Sequence, residues 1–477
     1  MADASFYWHD YETWGVNPRV DRVAQFAGIR TDKNLEVIGE PLMIYAKPTS
    51  DFLPHPEAVL VTGITPQLAN VEGIPESDFF RQIHTEFSQS NSCIVGYNNL
   101  RFDDEVTRFG FYRNFRDPYA YSWQNGNSRW DVLDLLRITR ALRPEGINWP
   151  LNDKGVASFK LTDLTQANDI EQQGAHDALV DVKATIALAK LVKQKQPKLF
   201  DFYFNLRNKN QVVELLNLAK PSILLHVSGM FPAEQGCLAP MFPLLGNPKN
   251  SNEIICYNLR FNPQALLKLS AEDIQKKLYT RTIDLAKGDQ RLPLKVVHIN
   301  KSPALAPVST LNEVQAEKWQ IDWNEIRAHR DLLMSDPNLI KRLTRVYSKT
   351  KDQLRGDADG ALYEGFINQQ DRLICNQVLS STPSELANWS EDCFQDKRLQ
   401  TLLFRYRARN FPQSLTADES LLWQRFCQSR LLDGDDAGGL TAEQFQQQLL
   451  TLAQREQGDR EQALLNKLSL WAQQIFS

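Results

Sequence analysis

Phe6-Tyr7-Trp8-His9-Asp10-Tyr11-Glu12-Thr13 is an aromatic, β-favouring run, the pattern of a buried central strand, yet it carries two carboxylates two residues apart. Strand side chains alternate between faces, so Asp10 and Glu12 share one. Side by side in a sheet interior they repel and lose hydration unless a cation sits between them, so the pair calls for a divalent metal and suits phosphoryl chemistry. Asp-x-Glu on its own is also common in acidic turns; further acidic residues along the chain give the metal reading its weight.

Gln25 to Arg30 and Val37 to Ala46 read as two further strands of an antiparallel meander, turned at Thr31-Asp32-Lys33-Asn34. Thr65 and Pro66 are the N-cap and first residue of a helix, and a second helical pattern runs from Ser77 to Ser88. Ser92 to Tyr97 is a short apolar strand leading into Asn98-Asn99-Leu100-Arg101-Phe102-Asp103-Asp104-Glu105. A carboxylate at such a strand-to-helix junction lies at the sheet rim where open α/β folds bind ligands, making Asp103 a third ligand, while Asp104 and Glu105 suit the first turn of the helix. Further on, Asp177 reads as the N-cap of a helix with Asp181 about one turn inside it. His176 precedes it; five residues apart on a continuous helix, the two would diverge by roughly 140°, so His176 joins Asp181 only from the loop. The bland alternative is a solvent-exposed loop histidine. Tyr112, Arg113, Phe115, Arg116, Tyr119, Tyr121, Trp123, Arg129 and Trp130 are either core or a surface for stacking unpaired bases and holding phosphates.

With 477 residues, 42% hydrophobic and 23% charged, the chain is expected to form two to four globular domains. No apolar run approaches the roughly 20 residues of a membrane span and no signal-peptide pattern opens the chain, so a cytoplasmic protein is expected. Cys93, Cys237, Cys256, Cys375, Cys393 and Cys427 show no Cys-x-x-Cys spacing and are expected reduced. The net charge of -4 argues against bulk electrostatic coating of nucleic acid, not against an acidic metal site beside a basic groove. Lys190 to Lys198 marks a boundary. Short β-like runs, Ser222 to Val227, Glu253 to Leu259 and Leu294 to His298, then fit a barrel or a sandwich equally. From Asp322 the pattern is helical. Leu339 to Val346 with Lys349, Lys351 and Arg355 forms a basic cluster, either a solvated helix face or a surface that contacts a nucleic-acid backbone or docks an acidic partner. Asp357-Ala358-Asp359-Gly360 reads as a linker, and Arg405-Tyr406-Arg407-Ala408-Arg409-Asn410-Phe411 as a face lining either the groove or a partner pocket.

Asp10-x-Glu12, Asn99-x-x-Phe102-Asp103, and His176 with Asp181 five residues on resemble, in order and spacing, the three motifs of the DEDDh exonucleases. His9 to Thr13, Gly96 to Asn99, Arg143 to Pro150, His226 to Phe231, His298 to Lys301 and Tyr406 to Pro412 extend the similarity along the chain to the bacterial exonuclease I family. The resemblance implies a ribonuclease H-like exonuclease domain (1–190), an SH3-like β-barrel domain (197–352) and a helical C-terminal domain (355–477), together C-shaped. It further implies processive 3′→5′ hydrolysis of single-stranded DNA to nucleoside 5′-monophosphates, in repair and recombination. Asp10, Glu12, Asp103 and Asp181 would hold two Mg²⁺ ions, with Mn²⁺ an alternative, and His176 would take the proton of water. Glu12, Lys160 and Arg143 would contact substrate. Lys160 stands where the family has arginine, keeping charge without a bidentate fork. Implied partners are single-stranded DNA and the acidic tail of single-strand DNA-binding protein, and a monomer is expected. Two other readings are an RNA-trimming enzyme of the RNase T or oligoribonuclease kind, a shorter class lacking the later domains, and a silent scaffold, which would not need all four carboxylates and His176.

Overall fold

The computed structural model describes residues 4–172, 174, 177–281, 284, 291–348, 356–434, 438–455 and 458–476. It forms two compact units, one of Met1–Ser128, Gln172–Ile186 and Gln353–Ser477, the other of Arg129–Glu171 and Ala187–Asp352.

In the first unit, β1 (Ser5–Thr13), β2 (Val23–Thr31), β3 (Leu42–Tyr45) and β4 (Ser92–Gly96) build a mixed sheet, and β5 (Ser128–Asp131), at the unit boundary, takes fifth place in the order β3-β2-β1-β4-β5. The β1–β2–β3 meander is antiparallel, as the alternating pattern predicts. β3 is shorter than the Val37 to Ala46 run, which is interrupted by Gly39 at φ 78° and by Pro41, a residue with no N–H for the ladder. β4 runs parallel to β1, pairing Ser5 with Ser92 through Trp8 with Val95. Tyr7, His9 and Tyr11 point to one face of β1, where the helix Glu76–Phe87 packs: ring centroids lie 5.6 Å apart for Tyr7 and Phe87 and 5.0 Å for His9 and Phe87. The opposite face carries Trp8, Asp10 and Glu12. Thr65 caps the helix Pro66–Glu72 by accepting from Leu68 N–H.

The C-terminal helices belong to this same unit, and charge joins them to it. Arg409, on the helix Lys397–Asn410, donates to Asp51 Oδ2 at 2.7 Å and Asp359 Oδ2 at 2.6 Å. Arg405 forks onto Asp357 with two 2.7 Å bonds, and Arg430 lies 3.2 Å from both Asp51 and Asp359. Arg22 reaches Asp359 at 3.4 Å, and Arg113 reaches Glu76 at 3.5 Å. Burial would raise Asp51, but Arg409, Arg22 and Arg430 outweigh it and hold the carboxyl well below its ordinary range; Asp359 is held down in the same way. Two expectations are corrected here. Asp357 to Gly360 is no linker, since Asp359 is buried at the centre of this cluster. Arg405 and Arg409 are no groove face either, because buried carboxylates occupy their guanidinium groups, and Arg407 is spent on Glu419 at 2.7 Å.

Most of the aromatic stretch is likewise core. Phe111, Tyr112, Phe115, Tyr121 and Trp130 are buried, and Trp123 is exposed. All six cysteines are free, and only Cys393 is not fully buried.

In the second unit, β6 (Leu224–Val227), β7 (Leu238–Asn247), β8 (Asn250–Asn258), β9 (Leu294–His298) and β10 (Ala304–Pro307) form a sheet of order β10-β6-β7-β8-β9, all neighbours antiparallel. β7 is absent from the pattern-based reading because Pro240 and Pro243 interrupt it; the ladder absorbs the second with a register shift between Pro243 and Leu245. In the basic stretch, Leu339, Leu343 and Val346 are buried, Arg342 pairs with Asp336 at 2.8 Å and Arg345 with Glu272 at 2.8 Å. Lys349, Lys351 and Arg355 lie outside the described residues. No described helix is long and apolar enough to cross a membrane.

Asp359→Asn leaves buried guanidinium groups uncompensated and is expected to cost roughly 3–5 kcal/mol. Because Asp51 and Asp359 are depressed, their contribution is full above the unfolded carboxylate value near pH 4 and is lost as pH falls through their lower folded values. Urea titration at pH 7 and pH 3 should therefore show a large deficit for the variant at pH 7 that narrows at pH 3. An equal or absent deficit at both would contradict the stabilising role.

Candidate active site

β1 and β4 end side by side, and this sets the geometry. The pairing of β1 with β4 ends at Trp8, and Tyr11 N–H donates instead to Asp103 Oδ1 at 3.3 Å. Asp103 arrives there because the chain turns sharply after β4. Asn98 adopts φ 64°, and a Cβ on Gly96 would lie 2.9 Å from the His9 carbonyl oxygen and 2.8 Å from Asn99 Cβ, so only glycine fits. The helix Asp103–Arg113 then starts at the sheet rim, and the Tyr11 hydroxyl shares a 2.9 Å hydrogen bond with Thr107 one turn on.

Asp181 comes from the helix Ala178–Lys195. Asp177 caps it as expected, accepting from Leu179 N–H at 3.0 Å and Val180 N–H at 3.3 Å. Two glutamines outside the motifs position this helix and its carboxylate. Gln25, which faces Glu12 across the β1–β2 ladder, accepts from Ala178 N–H at 3.2 Å and donates to the Tyr45 hydroxyl at 3.0 Å. Gln172 donates to Asp181 Oδ1 at 2.7 Å. A lone amide in the otherwise apolar run of β2 is the sequence signal for Gln25; Gln172 lies in a loop and offers none.

Carboxylate oxygens of Asp10, Glu12 and Asp181 all lie within 4.8 Å of one another. Asp10 and Glu12 are half-buried, while Asp103 is only 4% exposed. Asp103 stands outside that tightest trio yet acts on it electrostatically. Burial, then Asp103, Glu12 and Asp181, push the Asp10 carboxyl well above its ordinary value. Burial, Asp181 and Asp103 push Glu12 up to about 8, and burial pushes Asp103 up to about 7 against the backbone N–H groups that lower it. Protein alone therefore cannot hold this group fully ionised at neutral pH. An all-oxygen, multiply acidic, partly open donor set fits hard divalent cations. His176 lies outside the described residues.

Arg143 and Lys160 belong to the second unit. Arg143 Nη1 donates to the Leu142 and Thr310 carbonyls at 2.5 and 2.8 Å. Lys160 is exposed and immediately precedes the helix Leu161–Ala167.

A carboxylate-lined rim between the parallel strands of a mixed sheet is the site of an exonuclease domain, and residues 7–189 match the family model described as Exonuclease. Residues 207–349 match the Exonuclease I SH3-like domain and residues 356–475 the Exonuclease I C-terminal domain. The chain belongs to the exodeoxyribonuclease I family. It is 46% identical over 433 residues to exodeoxyribonuclease I of Haemophilus influenzae (90% of this chain, 91% of the relative). To that of Escherichia coli it is 47% identical over 422 residues (88% of each). Among solved structures, E. coli exonuclease I in complex with a dA16 oligonucleotide superimposes with a TM-score of 0.94 at 43% identity, covering 99% of this chain and 100% of that one. The zinc-bound E. coli ExoI–ssDNA complex gives 0.93 at 42%, covering 100% of each. A structure of SSB/exonuclease I with the inhibitor CFAM gives 0.90 at 42%, covering 99% and 100%. The chain is thus an exodeoxyribonuclease, with the ribonuclease H-like, SH3-like and C-terminal domains that the motifs imply; the scaffold reading is set aside.

Raised carboxylates make the metal-free protein sensitive to base. With folded values above the unfolded value near 4, stability is full below about pH 4 and declines as pH rises toward the values of about 7 for Asp103 and about 8 for Glu12. In EDTA the melting temperature should fall between pH 5 and pH 8, and added Mg²⁺ should raise it more at pH 8 than at pH 5. A Mg²⁺ effect independent of pH would argue against cation binding at these carboxylates.

Proposed function

We propose that this chain degrades single-stranded DNA from its 3′ end, releasing nucleoside 5′-monophosphates one after another without leaving the strand. The observation that carries the reading is the Asp10, Glu12 and Asp181 trio within 4.8 Å, at the end of β1 in a domain of the exonuclease family. Single-stranded substrate is supported by the E. coli relative's complex with dA16.

Asp10, Glu12, Asp181 and Asp103 would hold the divalent cations, Mg²⁺ in this reading. When bound, such ions neutralise the carboxylates and the phosphate and lower the pKa of water. The protein's own part is orientation. Tyr11 N–H aims Asp103, Gln172 aims Asp181, and Gln25 ties the helix bearing Asp181 to the strand facing Glu12. Glu12 is proposed also to receive the terminal 3′-hydroxyl, which would restrict cutting to ends. His176 is proposed as the acceptor of the attacking water's proton, on its sequence motif. Attack at the last phosphodiester breaks the P–O3′ bond; the shortened strand keeps its 3′-hydroxyl and the departing nucleotide its 5′-phosphate. Lys160 and Arg143 are proposed substrate contacts, the first favoured by its exposed charge. The acidic tail of single-strand DNA-binding protein is a proposed partner, supported by the SSB/exonuclease I structure.

Asp10→Ala or Asp181→Ala should lower the rate of nucleotide release by roughly three or more decades, on the order of 4 kcal/mol. The assay is digestion of a 5′-labelled single strand beside the matching duplex, with Mg²⁺ or EDTA, under a trap for released enzyme. Retention of more than about a tenth of the activity would remove these residues from the ligand set. Duplex or RNA cut as fast as the single strand would overturn the substrate reading.

A further inference from the structure

Asp10 and Glu12 are set on one face by β1, and Asp103 accepts from Tyr11 N–H. Asp181 comes instead from the first turn of the helix Ala178–Lys195 and needs support of another kind. Its backbone is held: its N–H donates to the Asp177 carbonyl at 3.1 Å, and its carbonyl accepts from the Thr185 hydroxyl at 2.8 Å. Neither bond stops the carboxylate from turning about its own side-chain torsions. Carboxylate oxygens of Asp10 and Glu12 lie within 4.8 Å of it, and their repulsion would turn it away.

Gln172 opposes that rotation, for its Nε2 donates to Asp181 Oδ1 at 2.7 Å. Gly174 adopts φ 87°, which glycine takes readily, and its carbonyl accepts from Asp177 N–H at 3.1 Å, so nine residues of separation are closed to one hydrogen bond. Gln25 acts on the helix rather than on the carboxylate. Only 1% exposed, it lies in register with Glu12 on one side and Tyr45 on the other. Its Oε1 accepts from Ala178 N–H at 3.2 Å, and its Nε2 donates to the Tyr45 hydroxyl at 3.0 Å. Gln25 thus fixes where the helix begins, and Gln172 fixes which way Asp181 points.

The chemistry of the donor matters as much as its position. A lysine or arginine at 172 would neutralise Asp181 and stand in for a cation, whereas an amide orients the carboxylate and leaves its charge in place. A neutral donor therefore supports cation binding without competing with it. Hydrogen bonds to a ligating group govern how firmly an ion is held, and losing one typically costs about 10–100-fold in affinity.

We propose that Gln172 is a positioning residue that sets the affinity of the carboxylate site for its divalent cation, by holding Asp181 against the repulsion of Asp10 and Glu12. The inference rests on the metal-dependent reading above and adds to it a determinant outside the acidic set.

The test uses the full chain with Gln172→Ala and Gln172→Met, the second keeping the length of the side chain without its donor. Mn²⁺ binding is read without DNA, from the loss of the free-ion EPR signal, and the Mg²⁺ dependence of single-strand digestion is measured separately. Both variants should bind Mn²⁺ at least about tenfold more weakly and should need about as many times more Mg²⁺ for half-maximal digestion. Their melting temperatures in EDTA should match that of the unsubstituted protein. Unchanged Mn²⁺ affinity in both variants would overturn the assignment. Weakening in Gln172→Ala alone would overturn it in favour of packing, and a lowered melting temperature with activity that added Mg²⁺ does not recover would overturn it in favour of a structural role. Because binding is read without DNA, an unsubstituted protein that takes up Mn²⁺ but releases no nucleotide would refute the proposed function, while the comparison of affinities would still decide the role of Gln172.

Discussion

Repulsion among Asp10, Glu12, Asp103 and Asp181 is the constraint around which the catalytic domain is arranged. Left alone, buried carboxylates at this spacing would separate or take up protons. The fold prevents the first. β1 holds Asp10 and Glu12 on one face, Tyr11 N–H holds Asp103, and Gln25 with Gln172 secures the helix end that bears Asp181. The raised carboxyl values express the resulting strain in chemical terms, as a site preorganised for positive charge.

A second set of charges works in the opposite sense. Asp51, Asp357 and Asp359 are matched by Arg22, Arg405, Arg409 and Arg430, and the matched Asp51 and Asp359 carboxyls are pulled down rather than up. The cluster binds the C-terminal helices to the β2 side of the exonuclease sheet within one unit, so the later part of the chain helps complete the body that carries the active site. Arg398, on the same helix as Arg405 and Arg409, donates to the Ala361 and Gly365 carbonyls and so ties the segment after Asp359 to that helix. Buried charge thus takes two forms in one protein, unbalanced at the carboxylate rim and balanced where the C-terminal helices join.

The difference between these two sets explains what could be read in advance. Asp10-x-Glu12 declares a shared strand face because alternation is a local property, and Asp177 with Asp181 declares a helix start for the same reason. Thr65-Pro66 and the β9 stretch Leu294–His298 are legible on equally local grounds. Arg405 and Arg409 are not. Their partners are remote, Arg409 finding Asp51 across 358 residues, and an arginine bound for a buried carboxylate looks in sequence like one bound for a phosphate. Nor is β7 legible, because its two prolines are tolerated only at positions the neighbouring strands leave room for.

Periodicity by itself determined the shared strand face of Asp10 and Glu12 and the helix start at Asp177, since each depends on residues a few positions apart, and the order of the motifs gave the candidate ligand set and the expectation of a histidine at position 176. Tertiary structure alone decided which charges are unbalanced and which arginines are already occupied. Those properties belong to distances between segments far apart in the chain, and Coulomb energy and burial follow distance in space rather than separation in sequence.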